Sequence, residues 1–512
     1  MLSTLIWAPI VGAIAVSLLP KTVSQQQIRL ISAYISGAIF LWSLWLLFQF
    51  NISDPQFQFQ EFIPWIEPLG LNYQLGVDGL SVVLVVLNTL LTWIAIYSSS
   101  NTTERPRLYF SLLLLVSGGV AGAFLAQNLL LFFLFYELEL VPFYLLVSIW
   151  GGDKRTYAAT KFLLYTAVSG VLILVGFLGL VWLSHAPSFA YESLMGQALP
   201  LGLQIVLLSV LLVGFGIKIP LVPLHTWLPD TYVAASTPIA ILLGGVLAKL
   251  GAYGIFRFGL ALFPDAWSVL SPWLAGWAAV SVLYGATVAI AQKDIKRMVA
   301  YSSIGHMGYI LLGGAAHNSL SLVGAIGQMV AHGLILAILF NLVGLIEAKA
   351  GTRDLDVLNG LLNPIRGLPS ISALLILGGM ASAGIPGLAG FIAEFLVFQG
   401  SYSEFPIQTL LCVVGTGLTA VYFVILLNRT CFGKLDNAIA YFPKVLLNEK
   451  IPAFVLVALV AFLGVQPTWL VRWSEATATQ MIAAVPMLNS ETSTIAELVA
   501  IATHPEAQPD QK

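Results

Sequence analysis

The sequence predicts an all-α polytopic membrane protein with about fourteen transmembrane helices, arranged as two inverted five-helix repeats whose helices 7 and 12 are broken. Three observations predict it. First, 58% of the 512 residues are hydrophobic and only 9% are charged, against roughly 45–50% and 25% in a soluble domain. Second, the apolar residues fall into runs of the length that crosses a bilayer, about 20 residues for about 30 Å of hydrocarbon. Third, Lys and Arg alternate between successive connections. A chain this apolar cannot cover a water-facing surface with charge, which excludes an ordinary soluble enzyme and a disordered protein. The net charge of −2 leaves no basic footprint for nucleic acid. Two cysteines, Cys412 and Cys431, are too few for an iron–sulfur cluster or a disulfide framework.

Taken in order, the spans are expected at 2–19, 28–50, 77–97, 108–126, 128–150, 158–183, 203–228, 236–262, 267–291, 297–314, 320–346, 368–400, 406–430 and 452–472, each limit good to about four residues. Helix is the default, because hydrocarbon offers no partner to an open backbone group. No Lys or Arg precedes the first run, and Lys21 follows it, so it reads as a retained helix rather than a signal peptide. Odd-numbered loops hold seventeen Lys and Arg, from Lys21 to Lys450, and even-numbered loops hold only Arg257. A missed span would scramble that alternation. Odd loops are therefore expected to face the cytoplasm and both termini the opposite side. After Trp473 the chain is polar and Ala-rich, and reads as a short surface helix with a frayed end.

Span 7 contains Pro220 and Pro223, and span 12 contains Gly384, Pro386, Gly387 and Gly390. Proline removes a backbone donor and clashes one turn back, so both spans are expected to break. Five spans separate the breaks. Five is odd, so two five-helix units would insert with opposite orientation, as in inverted-repeat transporters with an ion path at the repeat interface. The expected organisation is N-terminal helices over 1–107, repeats over 108–262 and 263–430, and a last helix with its tail over 431–512.

Seven ionisable residues sit inside spans: Glu137 and Glu139 in span 5, Lys218 in span 7, Lys249 in span 8, His306 in span 10, His332 in span 11 and Glu394 in span 12. Each charge at mid-bilayer costs at least about 2.5–3.5 kcal/mol on insertion scales, so such groups face a polar interior. Glu137 and Lys218 are expected to form an ion pair. At about 4 Å and an effective dielectric near 20 such a pair is worth about 4 kcal/mol, enough to load or discharge a proton on the lysine as it forms and breaks. The plain alternative is a static pair gluing two helices. Lys249 lacks a carboxylate on its own helix and suits a relay; the alternative, snorkelling, is hard from mid-span. His306 and His332 are relay candidates in that company, although either alone would read as a hydrogen-bonded core histidine, and a bis-histidine haem lacks any further support. Glu394 is the expected carrier of the second half, or else a cap on the freed donors of its broken helix. Glu139 lies about 200° from Glu137 around a helix, so the two cannot face one path. Glu137 is taken as the partner because Glu139 is nearer Pro142. His225 shares the face of Lys218 only in an unbroken helix, and Asp78 and Asp230 read as caps or mouth residues. No hydrolase triad, phosphate loop or zinc spacing appears.

The stretches FYELELVP, GIKIPLVPLHTWLPD, LAKLGAYGIFRF, KDIKRMVAYSSIGHMGYI and GQMVAHGLILAILFNLVG resemble the antiporter-like subunits of respiratory complex I and its photosynthetic relatives. The similarity runs over spans 3 to 13. It is strongest to the NuoM/NdhD type, with WGGDKRTYAATKFLLYTA leaning to the cyanobacterial or plastid form and MLSTLIWAPI to the form linked to carbon dioxide uptake. The resemblance implies a proton-translocating subunit of a quinone-reducing complex, without a redox centre or metal of its own. It matches Glu137, Lys218, Lys249, His306, His332 and Glu394 to the family's functional positions. Its implied partners are the other membrane and peripheral subunits and the lipid membrane. The implied setting is a thylakoid membrane, with plastoquinone used elsewhere in the complex. Tyr232 stands where the family often has a histidine, which argues against proton uptake at that point. Two other classes remain: a free-standing cation/proton antiporter of the Mrp type, and a structural subunit with fixed ion pairs.

Overall fold

The computed structural model describes residues 1–100, 103–197, 199–435 and 442–485. Helices dominate. The first group is α1 (Leu2–Ser17), α2 (Gln25–Gln49), α3 (Gly79–Tyr97) and α4 (Pro106–Leu125). Between α2 and α3 lies an antiparallel hairpin, β1 (Gln58–Ile66) with β2 (Leu71–Val77), turned at Gly70 with φ 63°. The span pattern places this segment between spans 2 and 3 and marks no strand in it. Next come α5 (Leu129–Leu138), α6 (Leu140–Trp150), α7 (Arg155–Leu183), the short α8 (Tyr191–Leu194), α9 (Leu201–Lys218) and α10 (Trp227–Ala234). Span 8 is one continuous helical rod, α11 (Thr237–Leu242) and α12 (Ala248–Gly254) with π-helical turns at Leu243–Leu247 and Ile255–Leu260. The second half comprises α13 (Pro264–Ile290), α14 (Ile295–Ala315), α15 (Ser319–Ala350), α16 (Pro369–Ser382), α17 (Ala389–Ser401) and α18 (Pro406–Cys431). The chain closes with α19 (Leu447–Val465), α20 (Thr468–Val471) and α21 (Glu475–Ala483). The expected tail helix is α21; the expected frayed end lies outside the described residues.

Among the described residues, eleven helical segments are long and apolar enough to span a bilayer. They coincide with eleven of the expected spans. The other three expected positions hold the 16-residue α1, α14 with its polar Ser302, Ser303 and His306, and the two half-length helices α16 and α17. The multi-pass helical architecture is therefore established, while the length-and-apolarity criterion gives eleven rather than fourteen.

Helix starts follow local chemistry. Ser24 and Asp78 form capping boxes, and Asn128, Asp294 and Asn318 accept backbone donors of the first turn. Span 8 and most of α15 are buried, whereas α2, α7, α18 and α19 keep apolar faces outward. The polar row described below sits on the buried set.

Both expected breaks are present, and both satisfy the backbone groups they free. At the first, the Ile217 carbonyl accepts from Trp227 Nε1 at 2.8 Å, and the Val222 carbonyl accepts from Trp277 Nε1 at 2.5 Å. The Val222 amide donates to Ser281 Oγ at 3.2 Å. At the second, Gly384 and Gly387 take φ of 69° and 91°, where a side chain is disfavoured.

Candidate functional site

The first half pairs a carboxylate inside the 129–150 span with the end of α9. Lys218 is the last residue of α9, and Glu139 is the single residue between α5 and α6. They are in direct contact, 1% and 0% exposed. The Lys218 ammonium also lies 3.8 Å from the centre of the Tyr136 ring, a cation–π contact. Tyr136 is held by Ser169 at 3.1 Å, which donates to the Gly214 carbonyl at 2.7 Å.

This corrects the expected partner of Lys218: it is Glu139, not Glu137. The reason is helical phase. Phe132, Tyr136, Glu139 and Phe143 recur at helical spacing and are all buried. Glu137 shares its face with Leu134, Leu138 and Val141, which are exposed. Glu137 is half-buried and rests on α7 at Gly170, where a Cβ would come within 2.1 Å of its Oε1.

The other four candidates form one row across α12, α14, α15 and α17. Lys249 Nζ donates to the Gly244 carbonyl at 2.6 Å and lies 2.8 Å from His332 Nδ1. The His332 and His306 rings stack with centres 5.2 Å apart and planes 19° apart. His306 Nε2 is 3.5 Å from Glu394 Oε1. All four are at most 3% exposed. His306 has carbonyl oxygens at both nitrogens, Ser302 O at 2.8 Å from Nδ1 and Ser382 O at 3.0 Å from Nε2. Only an imidazolium donates to both at once. His332 Nε2 is buried with no hydrogen-bond partner among the described residues. Beyond Glu394 the row continues to Thr416 Oγ1 at 3.2 Å, itself 3.0 Å from the Tyr309 hydroxyl.

Lys218 and Lys249 are joined by backbone packing rather than by side chains. Gly251 of α12 lies against α9, and a Cβ there would come 2.8 Å from the Ile219 nitrogen. Among the described residues no side-chain hydrogen bond connects the two lysines.

At the end of the bundle carrying the basic loops, Asp230 takes Lys161 at 2.8 Å and Arg297 at 3.4 Å, so it bridges α7 and α14. His225 is buried edge-on to Tyr284, 4.8 Å between ring centres. Tyr232 points inward and donates to the Leu243 carbonyl at 3.0 Å. At the opposite end Asp78 caps α3, as expected, and also pairs with the buried Arg257 at 2.5 Å. That second role was not foreseen. Among the described residues no group of three His, Cys, Asp or Glu is placed to hold a metal ion.

The profile of a family described as NADH:quinone oxidoreductase/Mrp antiporter, transmembrane, matches residues 126–419. A Synechococcus sp. (strain JA-3-3Ab) protein named NAD(P)H-quinone oxidoreductase chain 4 1 is 42% identical over 444 residues, 85% of this chain and 83% of its own. This chain belongs to that family. A Nostoc sp. protein of the same name is 37% identical over 496 residues, covering 94% and 91%. Among solved structures, a chain of respiratory complex I from Thermus thermophilus with bound NADH superposes with a TM-score of 0.86 at 28% identity, over 95% of this chain and 100% of that one. A chain of the Mrp complex from Dietzia sp. reaches 0.83 at 22% identity, a likeness of fold alone. The family match spans both helix breaks and every residue of the polar row.

Proposed function

We propose that this chain is the proton-translocating, antiporter-like subunit of a quinone-reducing NAD(P)H dehydrogenase complex. In this reading the complex is cyanobacterial, lies in the thylakoid membrane and uses plastoquinone outside this chain. Residues 108–262 and 263–430 are its two repeats, flanked by 1–107 and 431–512. The observation that carries the reading is the buried row Lys249–His332–His306–Glu394, which bridges the repeats with titratable groups at every step.

Each group has a part. The Lys218–Glu139 pair, with Glu137 one face away, sets whether Lys218 holds its proton, and motion of the α9 end at its break opens or closes it. Protons reach Lys218 from the basic-loop side, past Asp230 and His225. Lys249 receives the charge next and hands a proton to the Nδ1 lone pair of His332. His332, protonated at Nδ1, releases its Nε2 proton toward the neutral form of the neighbouring His306, which accepts it and as the imidazolium faces Glu394. Glu394, steadied by Thr416, delivers it to the terminal side. Redox work elsewhere in the complex biases the pair, and this chain supplies only the groups that hold and move protons.

The test uses the whole complex in sealed vesicles, with NAD(P)H or reduced ferredoxin driving quinone reduction and a pH-sensitive dye reporting proton uptake. Lys249→Met or His332→Gln is expected to lower the protons moved per quinone reduced while the complex still assembles. An assembled variant with an unchanged ratio would reject the row as the path. A Mrp-type antiporter would purify without quinone-reducing subunits, and the identity to NAD(P)H-quinone oxidoreductase chains favours the complex.

A further inference from the structure

Arg257 is the second cation of span 8 after Lys249, near its terminal-side end, and the structure buries it to 3% exposure. It lies two helical turns beyond Lys249 on the span 8 rod, about 12 Å at 1.5 Å per residue. Tyr253 stands between them on the same rod. Lys249 is thus separated from the terminal side by one tyrosine, one arginine and Asp78. A proton on Lys249 that escaped this way would bypass His332, His306 and Glu394.

Every polar group on that short route is already committed. The Tyr253 hydroxyl donates to the Phe124 carbonyl at 3.2 Å and accepts from Arg257 Nε at 3.3 Å. Arg257 Nη2 donates to Asp78 Oδ2 at 2.5 Å. Asp78 Oδ1 accepts from the Ser81 amide and hydroxyl, both at 3.0 Å. Phe57, Tyr191 and Tyr253 surround the guanidinium with ring centres 4.9, 5.4 and 5.4 Å away. The aromatic lid comes from three connections: the segment before β1, α8 and span 8. Next to Asp78, α21 packs on the start of α3, where its Thr477 hydroxyl accepts from the Gly79 amide at 3.0 Å. Guanidinium does not deprotonate in proteins, so Arg257 cannot relay a proton. A fixed cation in a low-dielectric passage also repels the hydronium that would carry one.

We propose that Arg257, held by Asp78 and its aromatic cage, is a fixed electrostatic seal that closes the first repeat to the terminal side. It is a positioning residue for translocation: it gives Lys249 a single onward route, through His332. The proposal rests on the reading of Lys249 as a carrier and adds the reason why its charge crosses to the second repeat.

The test is passive proton conductance of vesicles holding the whole complex, with a pH gradient imposed and no electron donor. Arg257→Gln is expected to raise conductance about tenfold or more, because losing one fixed charge from a low-dielectric path lowers the barrier by at least a decade in rate. Arg257→Lys keeps a cation but one that can release its proton, so it should leak more than wild type and less than Arg257→Gln, a graded order that a purely structural role would not give. If Arg257→Gln fails to assemble because Asp78 is left unpaired, Arg257→Gln with Asp78→Asn removes the orphaned charge and should leak equally. Adding Lys249→Met should abolish the leak. An assembled Arg257→Gln or double variant with wild-type conductance overturns the seal, and so does a leak indifferent to Lys249→Met. Driven pumping in Lys249→Met alone separates the two ideas: if it stays normal, the carrier reading fails, whereas the conductance of Arg257→Gln still reports on the seal.

Discussion

Glu139 and Lys218 meet beside the first proline break: Glu139 keeps helical backbone angles inside the 129–150 segment, and Lys218 closes α9 just before the prolines. The end of α9 at the break can move against a carboxylate held inside a helix, whereas a pair between two unbroken helices is fixed by both. Among the described residues Glu139 has no hydrogen-bond donor other than Lys218. Glu139→Gln therefore leaves a buried ammonium with no counter-charge, at a cost of about 3–5 kcal/mol. A clear fall in the melting temperature of the complex is expected, together with loss of driven proton uptake. Replacing both residues, with Glu139→Leu and Lys218→Met, should restore most of the stability, because an apolar pair fills the same space. Uptake should remain lost. Recovery of uptake in that double variant would show the pair to be structural glue.

Glu137 allows a separate test. It rests on Gly170 of α7, where any side chain would collide with its carboxylate. Gly170→Ala should push Glu137 aside without touching Glu139 or Lys218. If only the Glu139 pair matters, driven uptake stays near wild type and the melting temperature falls modestly, by the equivalent of about 1–3 kcal/mol for overpacking. A drop of about tenfold in uptake, equal to 1.4 kcal/mol in the barrier, would make Glu137 a second working carboxylate.

The sequence reveals the row but not the pairings. Lys249, His306, His332 and Glu394 stand out because each interrupts an apolar run, and lipid makes such interruptions costly. Helical phase shows that Glu137 and Glu139 point apart, yet it does not say which one faces inward. The signal was present one turn away, in Phe132, Tyr136 and Phe143, which share the face of Glu139 and are all buried. Arg257 and Asp78 are 179 positions apart, and nothing local to either announces the other. The hairpin over 58–77 escaped notice because its outward strand exposes apolar residues such as Phe62, Ile63 and Trp65, which blurs the alternation that marks a strand. The helices themselves were legible, since hydrocarbon enforces length and the loops carry their cations on one side.

The Lys249–His332 contact at 2.8 Å predicts a dependence on the imidazole lone pair. When the ammonium donates in that contact, Nδ1 is the acceptor and the ring is neutral before transfer. His332→Gln keeps an acceptor but cannot carry a proton. Lys249→Arg keeps a charge but does not release it. Each should cut driven uptake by about tenfold or more and leave quinone reduction by the complex running. Normal uptake in both would take the proton route elsewhere.

Gly384 ties the second break to its carboxylate. It adopts φ 69°, and a Cβ there would stand 3.1 Å from Glu394 Oε2. Gly384→Ala therefore combines two effects: backbone strain of about 1–2 kcal/mol in the left-handed region and intrusion on the Glu394 carboxylate. Gly387 isolates the first effect. It has φ 91°, and a Cβ there meets nothing within 4 Å. Both variants should unfold at lower temperature by comparable amounts. Only Gly384→Ala should also lower the protons moved per quinone reduced, because it displaces Glu394 from Thr416 and from His306. Equal losses of pumping in the two variants would mean that the bend of the broken helix, and not the seating of Glu394, limits transfer in the second repeat.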